Sequence, residues 1–130
     1  MYEYKISNIL KIVDGDTVDL SLDLGFYVTV VQRIRLDGLD TPEVHSKDMQ
    51  EKTLAQEAKE FVTKWFEENK ELTIRTKKED KYGRILGEIY CQDRCLNKDL
   101  VDMGYAWEYD GTKKNKDVSI LLERRKLWMQ

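Results

Sequence analysis

Three short segments of the chain carry the side chains best suited to phosphate chemistry. They are Asp14-Gly15-Asp16-Thr17, Arg35 through Glu43, and Asp80-Lys81-Tyr82-Gly83-Arg84. Asp16 and Asp40 offer hard oxygen donors, the ligand type that calcium or magnesium requires. Arg35 and Arg84 carry planar, fixed cations that bind phosphate oxygens in pairs. Together the segments can supply a hard-metal site, a general base and two guanidinium clamps, which predicts phosphodiester hydrolysis provided that the fold gathers them.

Each segment also has a simpler explanation. An Asp beside Gly, as in Asp14-Gly15, is most often a turn former. The run Asp40-Thr41-Pro42 is equally typical of a turn or a helix start. His45 lies close to Glu43, but we interpret it as a solvated loop residue without a catalytic role. The combination of segments therefore carries more weight than any one of them.

Length and composition indicate a single soluble domain spanning residues 1–130. With 41% hydrophobic and 36% charged residues, the chain has the balance of an ordinary globular protein, and no stretch is apolar enough for a membrane span. No secretory signal is visible, so we expect a cytoplasmic protein unless a leader was removed. A monomer is the default expectation for its oligomeric state. The net charge of −3 argues mildly against nucleic-acid binding. Bases nevertheless cluster at Lys77-Lys78, Lys113-Lys114 and Arg124-Arg125-Lys126, and a metal cation would invert the sign of an acidic patch.

Cys91 and Cys95 are too few for a zinc cage, and a polar segment separates them. We expect them to face each other across a hairpin. The sequence leaves two alternatives for the pair: both thiols are reduced, or they form a disulfide.

The first part of the chain reads as strands. Val18 to Leu24 alternates strictly between apolar and polar residues, which is the period of a strand. The dipeptide Asp14-Gly15 predicts a turn that joins it in a hairpin to a preceding strand over Tyr2 to Val13. A third strand runs over Tyr27 to Leu36. In it Arg35 has the opposite parity to Ile34 and Leu36.

The remainder alternates helices with two more strands. Thr53 and Gln56 are spaced as a capping box for a helix to about Asn69, with Trp65 and Phe66 at core positions. Strands over Leu72 to Lys77 and Ile85 to Cys91 form a hairpin. Asn97 is expected to cap a short helix that ends at Gly104. Asp117 is expected to cap the last helix of the chain. In that helix Ile120, Leu121, Leu127 and Trp128 form the apolar stripe, while Glu123, Arg124 and Arg125 face water.

The element order predicts an α+β protein with a mainly β core: a five-stranded Greek-key barrel of the oligonucleotide-binding (OB) type with three helices. The open face of such a barrel commonly binds oligonucleotides.

Over nearly its whole length the chain resembles the staphylococcal nuclease-like, or thermonuclease, family. The resemblance lies in Asp14 through Val18, Arg35 through Glu43, Glu57-Ala58, Asp80 through Arg84, and Leu96 through Val101 followed by Gly104. It implies an OB-fold, calcium-dependent phosphodiesterase acting on DNA and RNA. Members of the family cut the bond to the 5′ oxygen, leave 3′-phosphate ends and prefer single-stranded or frayed substrate.

The resemblance also implies a role for each matching residue. Asp16 and Asp40 would hold calcium through carboxylates and Thr41 through its main-chain carbonyl. Glu43 would be the general base, while Arg35 and Arg84 would stabilise the phosphate and the transition state. Lys81, Tyr82 and a later tyrosine would hold the substrate; for that tyrosine Tyr109 is our first choice and Tyr105 our second.

Two other functions remain open. Some relatives that have lost the metal-binding carboxylates use this fold as a catalytically silent module that binds nucleic acid or peptides. Retention of all five acidic and guanidinium groups argues against that here. A small acidic interaction domain would fit the net charge, but it leaves the placement of the two arginines unexplained.

Overall fold

The computed structural model describes residues 2–79, 82–110 and 116–128. Within them the elements follow the predicted order with three additional two-residue strands. The strands are β1 (Tyr2–Asp14), β2 (Thr17–Asp23), β3 (Thr29–Leu36), β4 (Leu39–Asp40), β5 (Thr73–Glu79), β6 (Ile85–Cys91), β7 (Arg94–Cys95) and β8 (Trp107–Glu108). The helices are α1 (Met49–Glu68), α2 (Leu96–Asp102) and α3 (Val118–Trp128).

The five longer strands close into a barrel. They are hydrogen-bonded in the order β3-β2-β1-β5-β6, and a parallel pairing of β3 with β6 joins the two edges. Together with the three described helices, this mixed barrel confirms the predicted α+β OB-type fold. Ile34 pairs with Ile85 and Leu36 with Gly87 in the closing contact, so the carboxyl end of β3 adjoins the start of β6.

The barrel core consists of aliphatic side chains from every long strand except β1, whose apolar residues are only partly buried. Fully buried members include Val18, Leu20, Ile34, Leu36, Ile74 and Ile89. Gly87 is required in this core, because an added Cβ would lie 2.8 Å from Ile74 Cδ1. Since Ile34 and Leu36 point inward, Arg35 between them projects from the other side of β3, as its parity predicts.

Helix α1 covers one end of the barrel and begins earlier than predicted. Asp48 is its N-cap, accepting a hydrogen bond from the backbone N–H of Gln50, and the helix starts at Met49. The predicted capping box at Thr53 is wrong: its hydroxyl donates to the Met49 carbonyl within the helix. Asp48 is a good cap that lies in the aperiodic loop, where apolar spacing gives no signal. Trp65 and Phe66 are buried as expected.

Asn97 does not cap α2, contrary to prediction, because Cys95 occupies the N-cap position and Asn97 lies inside the helix. Its buried amide instead ties three segments together. It accepts a hydrogen bond from the Ile89 N–H at 3.1 Å and donates to the carbonyls of Asp37 at 2.9 Å and Gly87 at 3.0 Å. The helix ends as predicted at Gly104, whose φ of +83° favours glycine and whose missing Cβ leaves room for α3.

Helix α3 buries less apolar surface than predicted. Asp117 caps it through the Ser119 N–H, but only Leu121 is buried among the described residues of the helix. Leu127 and Trp128 are exposed, so their assignment to a packing stripe is wrong. The assignment of Arg125 to water is also wrong. Its guanidinium lies over the Tyr105 ring and pairs with Glu57 of α1 at 3.1 Å.

The two cysteines are not direct cross-strand partners. In the β6–β7 hairpin Cys91 pairs with Arg94, and Cys95 pairs with Tyr90, one position away. Because neighbouring positions on a strand point to opposite faces, the expected face-to-face arrangement is wrong, and both cysteines are free thiols. Burial raises the pKa of the Cys95 thiol.

None of the helices among the described residues is long and apolar enough to cross a membrane.

Candidate functional site

Arg35 joins two acidic segments at the carboxyl end of β3. Its Nη1 lies 3.2 Å from Asp16 Oδ2, and its Nη2 lies 3.4 Å from Asp40 Oδ1. The same guanidinium donates to the carbonyls of Leu36 and Leu39. Only 8% of the Arg35 side chain is exposed. The residues predicted from separate parts of the sequence therefore meet on one buried cation.

The β1–β2 turn delivers Asp16 to this position. Asp16 is anchored by its carbonyl, which accepts the Leu36 N–H at 2.8 Å and so ties the turn to the end of β3. Gly15 lets α1 approach closely, because a Cβ there would lie 2.8 Å from Ala58 Cβ. The hydroxyls of Thr17 and Thr41 donate to the two carboxylate oxygens of Asp16 at 2.9 Å and 3.0 Å. The carboxylate is thus held in one orientation.

Asp14 shares the turn and is electrostatically linked to Asp16. Burial, together with the hydrogen bond and charge of Asp16, raises the pKa of Asp14 to about 7. Burial alone would also raise the pKa of Asp16. Hydrogen bonding with Asp14, the charge of Arg35 and the threonine hydroxyls outweigh that effect, so the Asp16 pKa is lowered. Asp16 is therefore ionised at neutral pH, whereas Asp14 releases its proton only at about pH 7.

Asp40 reaches the site from the short strand β4. This strand pairs with β8, where Asp40 lies opposite the buried Trp107. Asp40 and the adjacent Thr41 are each only 4% exposed. The buried carboxylate of Asp40 and the partly buried carboxylate of Asp16 converge on a single cation. They form a hard oxygen donor set, which fits calcium or magnesium in chemistry. The predicted donors Asp16, Asp40 and Thr41 are therefore neighbours.

Glu43 lies apart from these two acids. Its side chain is 54% exposed, and Lys116 Nζ lies 3.5 Å from its Oε1. Its backbone N–H donates to Glu51 of α1 at 3.1 Å, which fixes the main chain of the loop. Across residues 2–79, 82–110 and 116–128, no three acidic, histidine or cysteine side chains are close enough to hold a metal together. Glu43 therefore faces solvent, in contact with a lysine.

Arg84 lies next to the parallel contact between β3 and β6. It immediately precedes Ile85, the partner of Ile34, so its main chain adjoins β3 two positions before Arg35 in the register. Its guanidinium carbon is 5.3 Å from the centre of the Tyr82 ring, a cation–π distance, and Tyr82 is 71% exposed. The predicted substrate residue Lys81 lies outside the described residues.

The two tyrosine candidates occupy different surroundings. Tyr105 stacks on Phe61 of α1 at 4.6 Å between ring centres and carries the Arg125 guanidinium at 4.2 Å. It therefore belongs to the packing between helices. Tyr109 follows β8, and its N–H donates to the Gly38 carbonyl at 2.9 Å, one residue before β4 begins. The main chain of Tyr109 thus adjoins the segment that leads into β4, and its contact with substrate stays a prediction.

Sequence reasoning missed two residues that touch the candidate site. Asp14 entered only as a turn former, although the Asp-Gly-Asp spacing places two carboxyls within hydrogen-bonding range across a tight turn. Lys116 had no local signal, because 73 positions separate it from its partner Glu43. His45 is exposed, in keeping with a solvated loop position.

Residues 33–126 match the protein family described as staphylococcal nuclease homologue. The chain is 36% identical over 87 residues to an uncharacterized 38.1 kDa protein of Capnoides sempervirens, which covers 67% of this chain and 24% of that protein. It is 34% identical over 87 residues to the staphylococcal-like nuclease CAN1 of Arabidopsis thaliana, covering 67% of this chain and 25% of CAN1. An uncharacterized endonuclease of Escherichia coli is 29% identical over 132 residues, covering 92% of this chain and 74% of the bacterial protein. The chain thus spans about a quarter of the length of these plant relatives.

Proposed function

The chain belongs to the staphylococcal nuclease family, and from that membership we propose that it is a calcium-dependent nuclease. It hydrolyses phosphodiester bonds of DNA and RNA at the P–O5′ bond and leaves 3′-phosphate ends, with a preference for single-stranded or frayed substrate. The observation that carries this proposal is the convergence of Asp16 and Asp40 on the Arg35 guanidinium. Relatives named as nucleases in a plant and a bacterium support it.

Asp16, Asp40 and Thr41 are the residues that would hold the cation. When bound, a divalent cation supplies positive charge that offsets the negative charge developing on the phosphate oxygens. The lowered pKa of Asp16 keeps this carboxylate ionised and available as a donor near neutral pH. The hydroxyls of Thr17 and Thr41 fix its orientation, so little rearrangement is needed when a ligand arrives.

Glu43 accepts the proton of the attacking water. Its exposed carboxylate is open to solvent, the source of that water. The ion pair with Lys116 is a surface contact, worth about 0–1 kcal/mol, so it does not prevent Glu43 from serving a bound substrate. A positioned general base contributes about 10²- to 10⁴-fold in rate.

Arg35 and Arg84 bind the phosphate and stabilise the charge that builds up at phosphorus. Arg35 is preorganised, because two backbone carbonyls and two carboxylates fix its plane. The backbone pairing of β3 with β6 supports a role for Arg84, which lies in the turn immediately before Ile85, the partner of Ile34. Tyr82, Lys81 and Tyr109 hold the rest of the substrate, with the exposed Tyr82 ring suited to stacking on a base.

The test is hydrolysis of end-labelled single-stranded DNA and RNA by the purified chain with calcium, with magnesium and with chelator. We expect calcium-dependent cleavage with 3′-phosphate products. Glu43→Gln should lose at least about 10²-fold in rate. Glu68→Gln is the matched control, because its side chain is 58% exposed, close to the 54% of Glu43, and lies at the end of α1.

Digestion that survives both chelator and Glu43→Gln, at the wild-type rate, would contradict the proposed mechanism. Binding of nucleic acid without any hydrolysis would identify the chain as the catalytically silent module instead.

A further inference from the structure

The hairpin that joins β2 to β3 ends in two aromatic side chains lying fully in water. Phe26 is 97% exposed and Tyr27 is 106% exposed, and the flanking Leu24 and Val28 are 42% and 51% exposed. Single exposed apolar residues are common on protein surfaces, but four exposed apolar residues within five positions form a patch. Packing within the chain does not account for these rings.

The backbone holds this tip in an uncommon conformation. Phe26 and Tyr27 have φ values of 55° and 62°, in the left-handed region that bulky residues rarely adopt. The loop is closed by hydrogen bonds from Leu24 N–H to the Val28 carbonyl and from Val28 N–H to the Gly25 carbonyl, both at 2.9 Å. The tip is therefore a tight turn that presents two rings in a defined place. Strain of this kind is often retained where a surface binds a ligand.

The position of the tip links it to the candidate site. The outward-facing positions of β3 run from the exposed Val31 through Arg33 to Arg35, which bridges the two acids. Tyr27 precedes Arg35 by eight positions, a span of about 26 Å along a strand. An OB-fold covers roughly 4–16 nucleotides of a single strand, so one bound strand is long enough to reach both.

The chemistry of the tip selects among possible ligands. Residues 20–32 contain no lysine or arginine and one aspartate, so the hairpin offers no cation to an anionic lipid surface. Stacking of an unpaired base on an aromatic ring requires an accessible ring face and no charge. Arg33, between the tip and Arg35, is 56% exposed but its guanidinium is already paired with Asp19, so the aromatic rings are what the tip offers to a ligand.

We propose that Phe26 and Tyr27 form a stacking subsite for unpaired bases of a single strand whose scissile phosphate lies at Arg35. This subsite rests on the proposed nuclease function and extends it, because it makes the enzyme selective for strands long enough to span the β2–β3 hairpin. It also favours unpaired over duplex nucleic acid, whose bases are already stacked on one another.

The experiment compares the wild type with the double substitution Phe26→Asn and Tyr27→Asn. Asparagine tolerates the left-handed region, so the variant keeps the turn and should not lose thermal stability. Tyr2→Asn is the matched control, since Tyr2 is 70% exposed but lies at the start of β1. Substrates are a single strand of about 16 nucleotides and one of about three, too short to span the hairpin.

For the long strand we expect the KM of the tip variant to rise about tenfold or more with kcat unchanged. The short strand should be cleaved equally by wild type and variant, and Tyr2→Asn should change neither. Affinity for the long strand in chelator, measured by fluorescence anisotropy, should fall by the same factor. This binding readout separates the two proposals, because it reports on the tip even if no strand is cleaved.

Equal affinity of wild type and tip variant for the long strand would overturn the subsite. Two other results would also overturn it. In the first, the wild type co-sediments with anionic vesicles, and the tip variant does not although its affinity for the long strand is unchanged. In the second, the wild type dimerises with rising concentration, and the tip variant does not although its affinity for the long strand is again unchanged.

Discussion

The guanidinium of Arg35 bridges Asp16 and Asp40, at 3.2 Å and 3.4 Å, although 24 positions separate the two acids in the chain. Both carboxylates are largely buried, and the positive charge between them offsets their mutual repulsion and their loss of hydration in the folded chain. The arrangement gives Arg35 a structural function, because it holds the acidic pair together, in addition to its proposed role at the phosphate.

Removing the positive charge from this bridge should weaken folding more than any surface change. Arg35→Met leaves two buried carboxylates without their shared partner, and we expect a loss of about 3–5 kcal/mol in the free energy of unfolding in chelator. Calcium should restore part of that loss, since a bound cation takes over the neutralisation. Urea unfolding with and without calcium measures both effects. A variant insensitive to calcium would speak against a metal at Asp16 and Asp40.

Charge alone should not be enough for catalysis at this position. Arg35→Lys keeps the cation but loses the planar fork, so we expect kcat/KM on single-stranded DNA to fall at least about tenfold. Arg33→Lys is the matched control on the same face of β3, where the exposed arginine pairs with Asp19, and it should change little. An equal loss in both variants would mean that the assigned strand position is wrong.

Arg84 allows a test of the second cation. Arg84→Lys should remain folded, because the side chain lies at a turn before β6, and should lose at least about tenfold in turnover. Circular dichroism checks the fold, and steady-state kinetics with the long strand checks the rate. Near wild-type turnover would remove Arg84 from the catalytic group.

Asn97 should prove to be a structural residue despite its place in a family motif. Asn97→Ala leaves the Ile89 N–H and the carbonyls of Asp37 and Gly87 without their amide partner. At about 1–3 kcal/mol for each unsatisfied buried group, we expect a loss of about 3 kcal/mol or more. Lys98→Ala, which breaks an exposed ion pair in the same helix, should cost about 0.3–0.5 kcal/mol. Thermal unfolding measures the stability of both variants. Equal losses of stability in the two would contradict the structural role of Asn97.

Stability should depend on pH through Asp14. Its pKa rises from 3.8 to about 7 on folding, so between these values the folded chain holds a proton that the unfolded chain has released. The free energy of unfolding therefore falls as pH rises through this range. Asp16 acts at lower pH: its folded pKa lies below 3.8, so its stabilising effect is fully present above that value and is lost in more acidic solution.

Asp14→Asn removes the first effect and keeps the second. In urea titrations with chelator, the variant should lack this decline between pH 3.8 and about 7. Parallel stability profiles for wild type and variant would show that Asp14 does not titrate in this range.

Local patterns in the sequence were sufficient for the five long strands and for the order of the main elements, but not for the two-residue strands β4, β7 and β8. The alternation from Val18 to Leu24 predicts β2, because a half-buried strand exposes every second side chain. Gly104 predicts the end of α2, because few other residues adopt its backbone angle cheaply. Helix starts were harder: Asp48 caps α1 from a loop without periodicity, and Cys95 precedes α2 without a side-chain cap.

The sequence alone was enough to nominate Asp16, Asp40 and Arg35 as candidates, since their motifs can be read without a fold. Their meeting on one guanidinium was decided only by the tertiary structure. Barrel closure through β3 and β6 and the pairing of β4 with β8 bring together residues that are distant in the chain. The same is true of Lys116 beside Glu43 and of the exposed Trp128. Periodicity records which side of an element is buried, whereas partners across the molecule depend on how the elements pack, and no local pattern carries that information.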